Sequence, residues 1–132
     1  MDLRVVWAAL MGAVVVAGGG TLSQEAVRPW LTVNGHDWSQ MKPDVRLAYI
    51  EGFLAGAALS QASSQAGDTA GVRTALEQLS RTGGFRFPYA ANVYESRMND
   101  FYWWKNHLPL PTWSAFLEVN TTLGRPISDS LP

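Results

Sequence analysis

Residues 43–65, with the sequence PDVRLAYIEGFLAGAALSQASSQ, decide the fold because their apolar pattern predicts one long helix. Pro43 and Asp44 are typical of a first helical turn, where a proline loses no hydrogen bond. A helix that is apolar on most of its sides is central to its domain, so we expect other helices to pack around it. Its apolar residues form two neighbouring stripes at helical spacing: Val45, Tyr49 and Phe53, and beside them Leu47, Ile50 and Leu54.

Small residues recur at every fourth position of the same segment. Such a ridge lets a second helix approach closely, so Gly52 and Gly56 are candidate helix-packing residues. We interpret the ridge as core packing and not as a membrane dimerisation motif, because Arg46 and Glu51 make this helix a poor lipid span. The ridge consists of Ala48, Gly52, Gly56 and Ser60.

Three further helices follow along the chain. Asp68 is placed to cap the second helix by accepting backbone N–H bonds, and the Gly83-Gly84 pair stops it. A third helix is predicted from Tyr89 to about Asn106, and a fourth over residues 112–123. The sequence therefore predicts an all-α fold, in which a single N-terminal apolar helix is followed by a small bundle of about four helices.

The N-terminal segment 5–22 carries no charge and follows Arg4. Such a run is either a secretory signal peptide or an uncleaved transmembrane anchor, and the two alternatives remain open. Both deliver the rest of the chain across the membrane, because Arg4 favours retention of the N-terminus in the cytoplasm. We expect an inner-membrane protein with a periplasmic domain, or a soluble periplasmic protein after cleavage.

The chain is divided accordingly. Residues 1–23 are the signal peptide or anchor, 24–38 a connector, 39–125 the helical domain and 126–132 a C-terminal arm. Within the connector, Asn34-Gly35 predicts a tight turn, because both residues tolerate positive φ.

Composition excludes several classes of function. The formal net charge of −1 offers no basic footprint, so nucleic acid is not an expected partner. The chain has no cysteine, which excludes disulfides, thiolate metal sites and a cysteine nucleophile. Six tryptophans among 132 residues must supply much of the core or of an interface.

Titratable residues form no recognised catalytic constellation. His36 and His107 lie in different predicted loops without further ligands at metal-binding spacing, so we expect no metal and no cofactor. His36 and Asp37 could form half of a proton-transfer pair, and Glu51 could act as an acid if it were buried. An enzyme that uses these residues is the least favoured hypothesis.

The run Phe101-Tyr102-Trp103-Trp104 is the strongest signal for an interface, because four consecutive aromatic residues on a helix cannot all face one core. Their spacing predicts that Phe101 and Trp104 point inward and that Tyr102 or Trp103 is exposed; alternatively, the rest of the chain covers all four. Exposed tryptophans beside Lys and His are typical of protein interfaces and membrane-surface belts. The interface candidates are Trp30, Trp38, Tyr102, Trp103, Trp104 and Trp113.

Two segments carry a resemblance to a known family: residues 49–56, YIEGFLAG, and residues 98–102, MNDFY, followed by a Leu-Pro-Leu-Pro hinge. With this helix order the chain resembles small exported helical bacterial proteins, some of which look like the Tai-type immunity proteins of type VI secretion. The resemblance implies a periplasmic, all-α, often dimeric protein that binds a cell-wall amidase toxin without catalysis. Many such proteins contain a disulfide, which this chain cannot form.

Three hypotheses of function follow. The first is a non-catalytic accessory subunit, anchored in the membrane through residues 5–22, that binds a larger respiratory, photosynthetic or transport assembly. The second is a soluble periplasmic immunity or inhibitor protein that binds a cell-wall hydrolase toxin. The third is the enzyme considered above.

Overall fold

The computed structural model describes residues 28–125, and the segments 5–22 and 126–132 lie outside the described residues. The chain divides into two units after Thr32. The described part of the first unit, residues 28–32, contains one 3₁₀ turn with Trp30 exposed. The described part of the second unit, residues 33–125, contains five α-helices, which confirms the all-α fold. They are α1 (Gly35–Gln40), α2 (Pro43–Ser63), α3 (Thr69–Thr82), α4 (Ala91–Trp103) and α5 (Thr112–Leu123), with a 3₁₀ turn, Lys105–His107, between α4 and α5.

The ends of three helices follow the local signals of the sequence. Pro43 is the first residue of α2, as predicted. Asp68 caps α3, where its carboxylate accepts a hydrogen bond of 2.8 Å from the backbone N–H of Gly71. Gly83 ends α3 in the left-handed region, with φ of 69°. Helix α5 has the predicted bounds.

Helix α4 is shorter than predicted, because Trp104 has an extended backbone that leads into the 3₁₀ turn. The imidazole of His107 stacks on the ring of Phe101 at 4.3 Å. Its Nδ1 donates a hydrogen bond of 2.8 Å to the carbonyl oxygen of Phe101. The imidazole thus satisfies a carbonyl at the C-terminus of α4, where a histidine side chain is favourable.

Asn34 and Gly35 start helix α1, so the prediction of a tight turn with positive φ was wrong. The carboxamide oxygen of Asn34 accepts hydrogen bonds from the backbone N–H groups of His36, at 2.9 Å, and Asp37, at 3.4 Å. The carboxylate of Asp37 in turn accepts one of 3.0 Å from the backbone N–H of Asn34. This reciprocal arrangement is a capping box. The connector expected through Trp38 therefore ends inside a helix.

Gly35 is required for close packing and not for its backbone angle. Its N–H donates a hydrogen bond of 2.8 Å to the carbonyl oxygen of Leu108. A Cβ at this position would lie 2.7 Å from the Cα of Leu108 and would also meet the ring of Tyr102. Only a residue without a side chain allows this approach.

We expect Gly35→Ala to lower the free energy of unfolding by about 1–3 kcal/mol, because the added methyl group would push against the backbone at Leu108. Urea titration of the full chain in mild detergent measures the change. Gly52→Ala is the matched control, since a Cβ there meets nothing within 4 Å. Equal stability of the two variants would contradict the proposed close approach.

The main core lies between α1, α2, α4 and α5. Phe53 of α2 stacks on Phe116 of α5, with ring centroids 4.0 Å apart and planes at 6°. A smaller cluster joins Ala62 of α2 to α3. The largest fully buried side chains of the main core are Trp38, Ile50, Tyr94, Met98 and Phe116.

A half-buried polar cluster joins α1, α2 and α4. The carboxamide oxygen of Asn99 accepts two hydrogen bonds, one of 2.9 Å from the indole N–H of Trp38 and one of 3.1 Å from the guanidinium of Arg46. Arg46 also donates to the backbone carbonyl oxygens of Trp38 and Ser39, at 3.0 Å and 3.2 Å. These carbonyls belong to the last turn of α1, so Arg46 fixes α1 against α2.

Candidate binding surfaces

The titratable residues considered from the sequence do not form a buried site. The carboxylate of Asp37 belongs to the capping box, and His36 and Glu51 are exposed. His107 is half-buried and is held by the carbonyl of Phe101. Among residues 28–125, no group of three or more Asp, Glu or His side chains is placed to hold a metal ion. Exposed apolar surfaces are further candidates for function.

Large apolar side chains are exposed where α4 turns into α5. Trp103 is 82% exposed, Trp104 62% and Trp113 48%, and Leu110 is also exposed. We call Trp103, Trp104, Leu110 and Trp113 the aromatic corner. The expectation that Trp104 points inward with Phe101 was wrong, because α4 ends at Trp103 and helical spacing no longer applies to the next residue.

The aromatic corner rests on the backbone that starts the second unit. The N–H of Thr112 donates a hydrogen bond of 2.8 Å to the carbonyl oxygen of Val33. Asn34 and Pro111 form an antiparallel bridge. The hydroxyl of Tyr102 donates a bond of 2.9 Å to the carbonyl oxygen of Leu110. The chain therefore passes into its helical unit directly beside the aromatic corner.

Trp38 and Tyr102 were candidate interface residues, and the structure corrects both. Trp38 is 1% exposed and Tyr102 is 5% exposed, so neither side chain is available to a partner. The indole N–H of Trp38 finds its acceptor in Asn99, 61 positions later in the chain, which local spacing does not reveal. The other four candidates, Trp30, Trp103, Trp104 and Trp113, are all exposed.

Two core tyrosines hold their protons more tightly than usual. Burial raises the pKa of Tyr94 to about 12, and burial also raises the pKa of Tyr102 above its ordinary value. Both hydroxyls therefore remain hydrogen-bond donors near neutral pH. Tyr94 donates to the carboxamide oxygen of Asn120 at 2.7 Å. Within the described core both act as structural donors, and Tyr102 supports the turn below the aromatic corner through its bond to Leu110.

A second exposed surface runs along α2. A Cβ built on Gly52 or Gly56 would meet nothing within 4 Å, so the expected packing of the small-residue ridge inside the core was wrong. The reason is that Tyr49 and Phe53, on a different side of α2, fill the contact with α5. We call the exposed side the small-residue face. It consists of Val45, Ala48, Gly52, Ala55, Gly56 and Leu59.

The six residues of the small-residue face carry no charge, and larger apolar groups lie toward its two ends. The exposed Glu51 flanks it, three residues after Ala48 and four before Ala55. Val45 is 47% exposed near its first turn and Leu59 is 52% exposed near its last. Beyond Leu59 the surface continues into an open groove between α2 and α3, lined also by Ser63 and Val72. An exposed apolar strip of this kind is typical of an interaction site.

Between residues 28 and 125, none of the helices combines the length and the apolar character that crossing a membrane requires. No protein-family model, curated protein or solved structure matches this chain.

Proposed function

We propose that this chain is a non-catalytic accessory subunit, anchored in the membrane through residues 5–22, whose periplasmic helical domain binds a larger membrane protein assembly. The assembly would be of the respiratory, photosynthetic or transport kind. The observation that carries the proposal is the small-residue face of α2, which is exposed and uncharged in the described domain. The central helix of a small domain ordinarily buries its apolar sides, so an exposed one favours a partner.

The geometry of the face suits a helix as the partner. Gly52 and Gly56 are one turn apart, and with no side chains they let a second helix approach the backbone of α2 closely. Val45 and Leu59 lie on the same exposed side toward the two ends of the helix and supply apolar area for the contact. An α-helix of 21 residues is about 31 Å long, so the face offers several turns of contact.

We expect Gly52→Leu to weaken association with the partner by more than about tenfold, since the added side chain would fill the space that a partner helix occupies. The fold should be unaffected, because that space is empty in the described domain. Ser80→Leu, on the exposed side of α3, is the matched control and should bind normally. Crosslinking yield from a photoreactive residue at position 48 measures association in native membranes. Equal yields for the two variants would contradict the proposed contact.

The anchoring is tested by the intact mass of the untagged full chain, isolated from the cells that encode it together with any stoichiometric partners. A mass that begins near Met1, in the membrane fraction, supports an anchored subunit. A mass that begins near residues 18–27, in the soluble fraction, would overturn the anchoring and favour the soluble immunity or inhibitor protein. In that case a cell-wall hydrolase would be the partner to seek.

A further inference from the structure

We infer that the aromatic corner lies in the headgroup layer of the membrane to which the chain is anchored. This inference rests on the proposed anchoring through residues 5–22. The ligand is the lipid surface itself, contacted by Trp103, Trp104, Leu110 and Trp113. The partner protein is assigned to the small-residue face, on a different helix.

The course of the backbone allows this corner to reach the bilayer. Residues 23–32 join the apolar segment to Val33, and ten extended residues span at most about 35 Å. Val33 accepts the backbone hydrogen bond of Thr112, the residue directly before Trp113. The point at which the tether reaches the helical unit therefore lies beside the corner. A tether of this length lets this end of the unit reach the membrane surface without any rearrangement of the fold.

The chemistry of the corner matches the boundary between lipid and water. Three tryptophans and a leucine are exposed, and tryptophan combines an apolar ring with an N–H donor, which suits the level of the headgroups. Over the 17 residues from Phe101 to Leu117, the only formal charge is that of Lys105. A single cation favours anionic headgroups and does not oppose burial of the rings among them.

Nearby acidic groups do not reverse this preference. Asp100, one turn before the corner, lies 3.6 Å from the guanidinium of Arg97. Asp37, at the start of α1, is bound to the backbone N–H of Asn34. Glu118 follows the corner on α5 and is exposed. Over residues 97–118 the cations Arg97 and Lys105 balance the carboxylates Asp100 and Glu118, so this stretch has no net negative charge.

The test uses the full chain, whose lack of cysteine allows one label at a chosen position. Asn106→Cys places an environment-sensitive fluorophore in the 3₁₀ turn of the corner without removing a tryptophan. Arg73→Cys places the same label on the exposed side of α3, which packs on the C-terminal half of α2. Both chains are reconstituted into vesicles of phosphatidylethanolamine and phosphatidylglycerol that carry spin-labelled lipid as the quencher.

We expect lipid quenching at position 106 to be several times stronger than at position 73. In the Asn106→Cys background, Trp103→Ser with Trp113→Ser should reduce quenching to the control level, with circular dichroism unchanged. Equal quenching at positions 106 and 73, with the chain floating with the vesicles, would overturn the inference and leave the anchoring intact. Failure to float would instead overturn the proposed anchoring. If the label at position 106 is shielded from water only when a partner protein is added, the corner binds protein and not lipid. This result would also overturn the inference.

Discussion

Phe116→Ala is expected to lower the free energy of unfolding by about 3–5 kcal/mol, because it removes a fully buried ring and leaves a cavity. Phe116 stacks on Phe53 of α2 at 4.0 Å and lies 6.1 Å from the ring of Tyr94 of α4. It therefore joins three helices at one point. Domains of this size are stable by only about 5–15 kcal/mol, so the variant should be close to unfolding at physiological temperature.

Urea titration of the full chain in mild detergent, followed by circular dichroism, checks this expectation. Leu117→Ala is the matched control, because Leu117 is the next residue on the same helix and is 50% exposed. Surface substitutions of this kind change stability by less than about 0.5–1 kcal/mol. Similar losses for the two variants would show that the stacked pair does not hold α2 and α5 together.

The parts of this fold that the sequence predicts are those set by neighbouring residues. Pro43, Asp68 and Gly83 mark helix ends through hydrogen bonds and backbone angles within one turn, so their roles are visible in the sequence. Helix α1 was missed because its capping box, Asn34 with Asp37, lies in a stretch with the composition of a turn. The signals for a helix N-terminus and for a turn use the same residue types, such as Asn, Asp and Gly.

Contacts between distant residues could not be predicted. The carboxamide of Gln61 donates to the carbonyl oxygen of Gly84 at 2.8 Å and accepts from the N–H of Arg86 at 2.9 Å, which fixes the link between α3 and α4. Nothing near Gln61 in the sequence indicates this role. The buried indole N–H of Trp38 depends in the same way on the carboxamide oxygen of Asn99, 61 positions later in the chain.

The candidate surfaces show the same division between local and distant information. The exposure of Trp103 was one of two outcomes that helical spacing allowed, whereas the exposure of Trp104 required knowledge of where α4 ends. The glycines of α2 were recognised as a packing ridge, but the sequence could not show that the fold leaves them uncovered. Helical periodicity identifies a face, and only the tertiary structure identifies what covers it.

Asn99→Leu is expected to lower the free energy of unfolding by about 2–4 kcal/mol, through the loss of polar contacts and not of volume. Its carboxamide oxygen accepts from both Trp38 and Arg46, and its amide group donates to the carboxylate of Glu95 at 3.2 Å. Because Trp38 is 1% exposed, its indole N–H would remain buried without this acceptor. A buried donor left without a partner costs about 1–3 kcal/mol, and the guanidinium of Arg46 would lose a partner as well.

Two comparison variants separate the hydrogen bonds from the packing. Asn99→Asp keeps an acceptor for Trp38 and Arg46 and adds a charge beside Glu95, so we expect a smaller loss than for leucine. Asn92→Leu, exposed on the same helix, should change stability little. Urea titration gives the three free energies, and near-ultraviolet circular dichroism follows the environment of Trp38. A loss for Asn99→Leu no larger than that for Asn92→Leu would mean that the polar cluster does not hold α1 in place. The attachment of α1 also bears on the proposed lipid contact, because Gly35 at its start holds Leu108 and the turn that carries the aromatic corner.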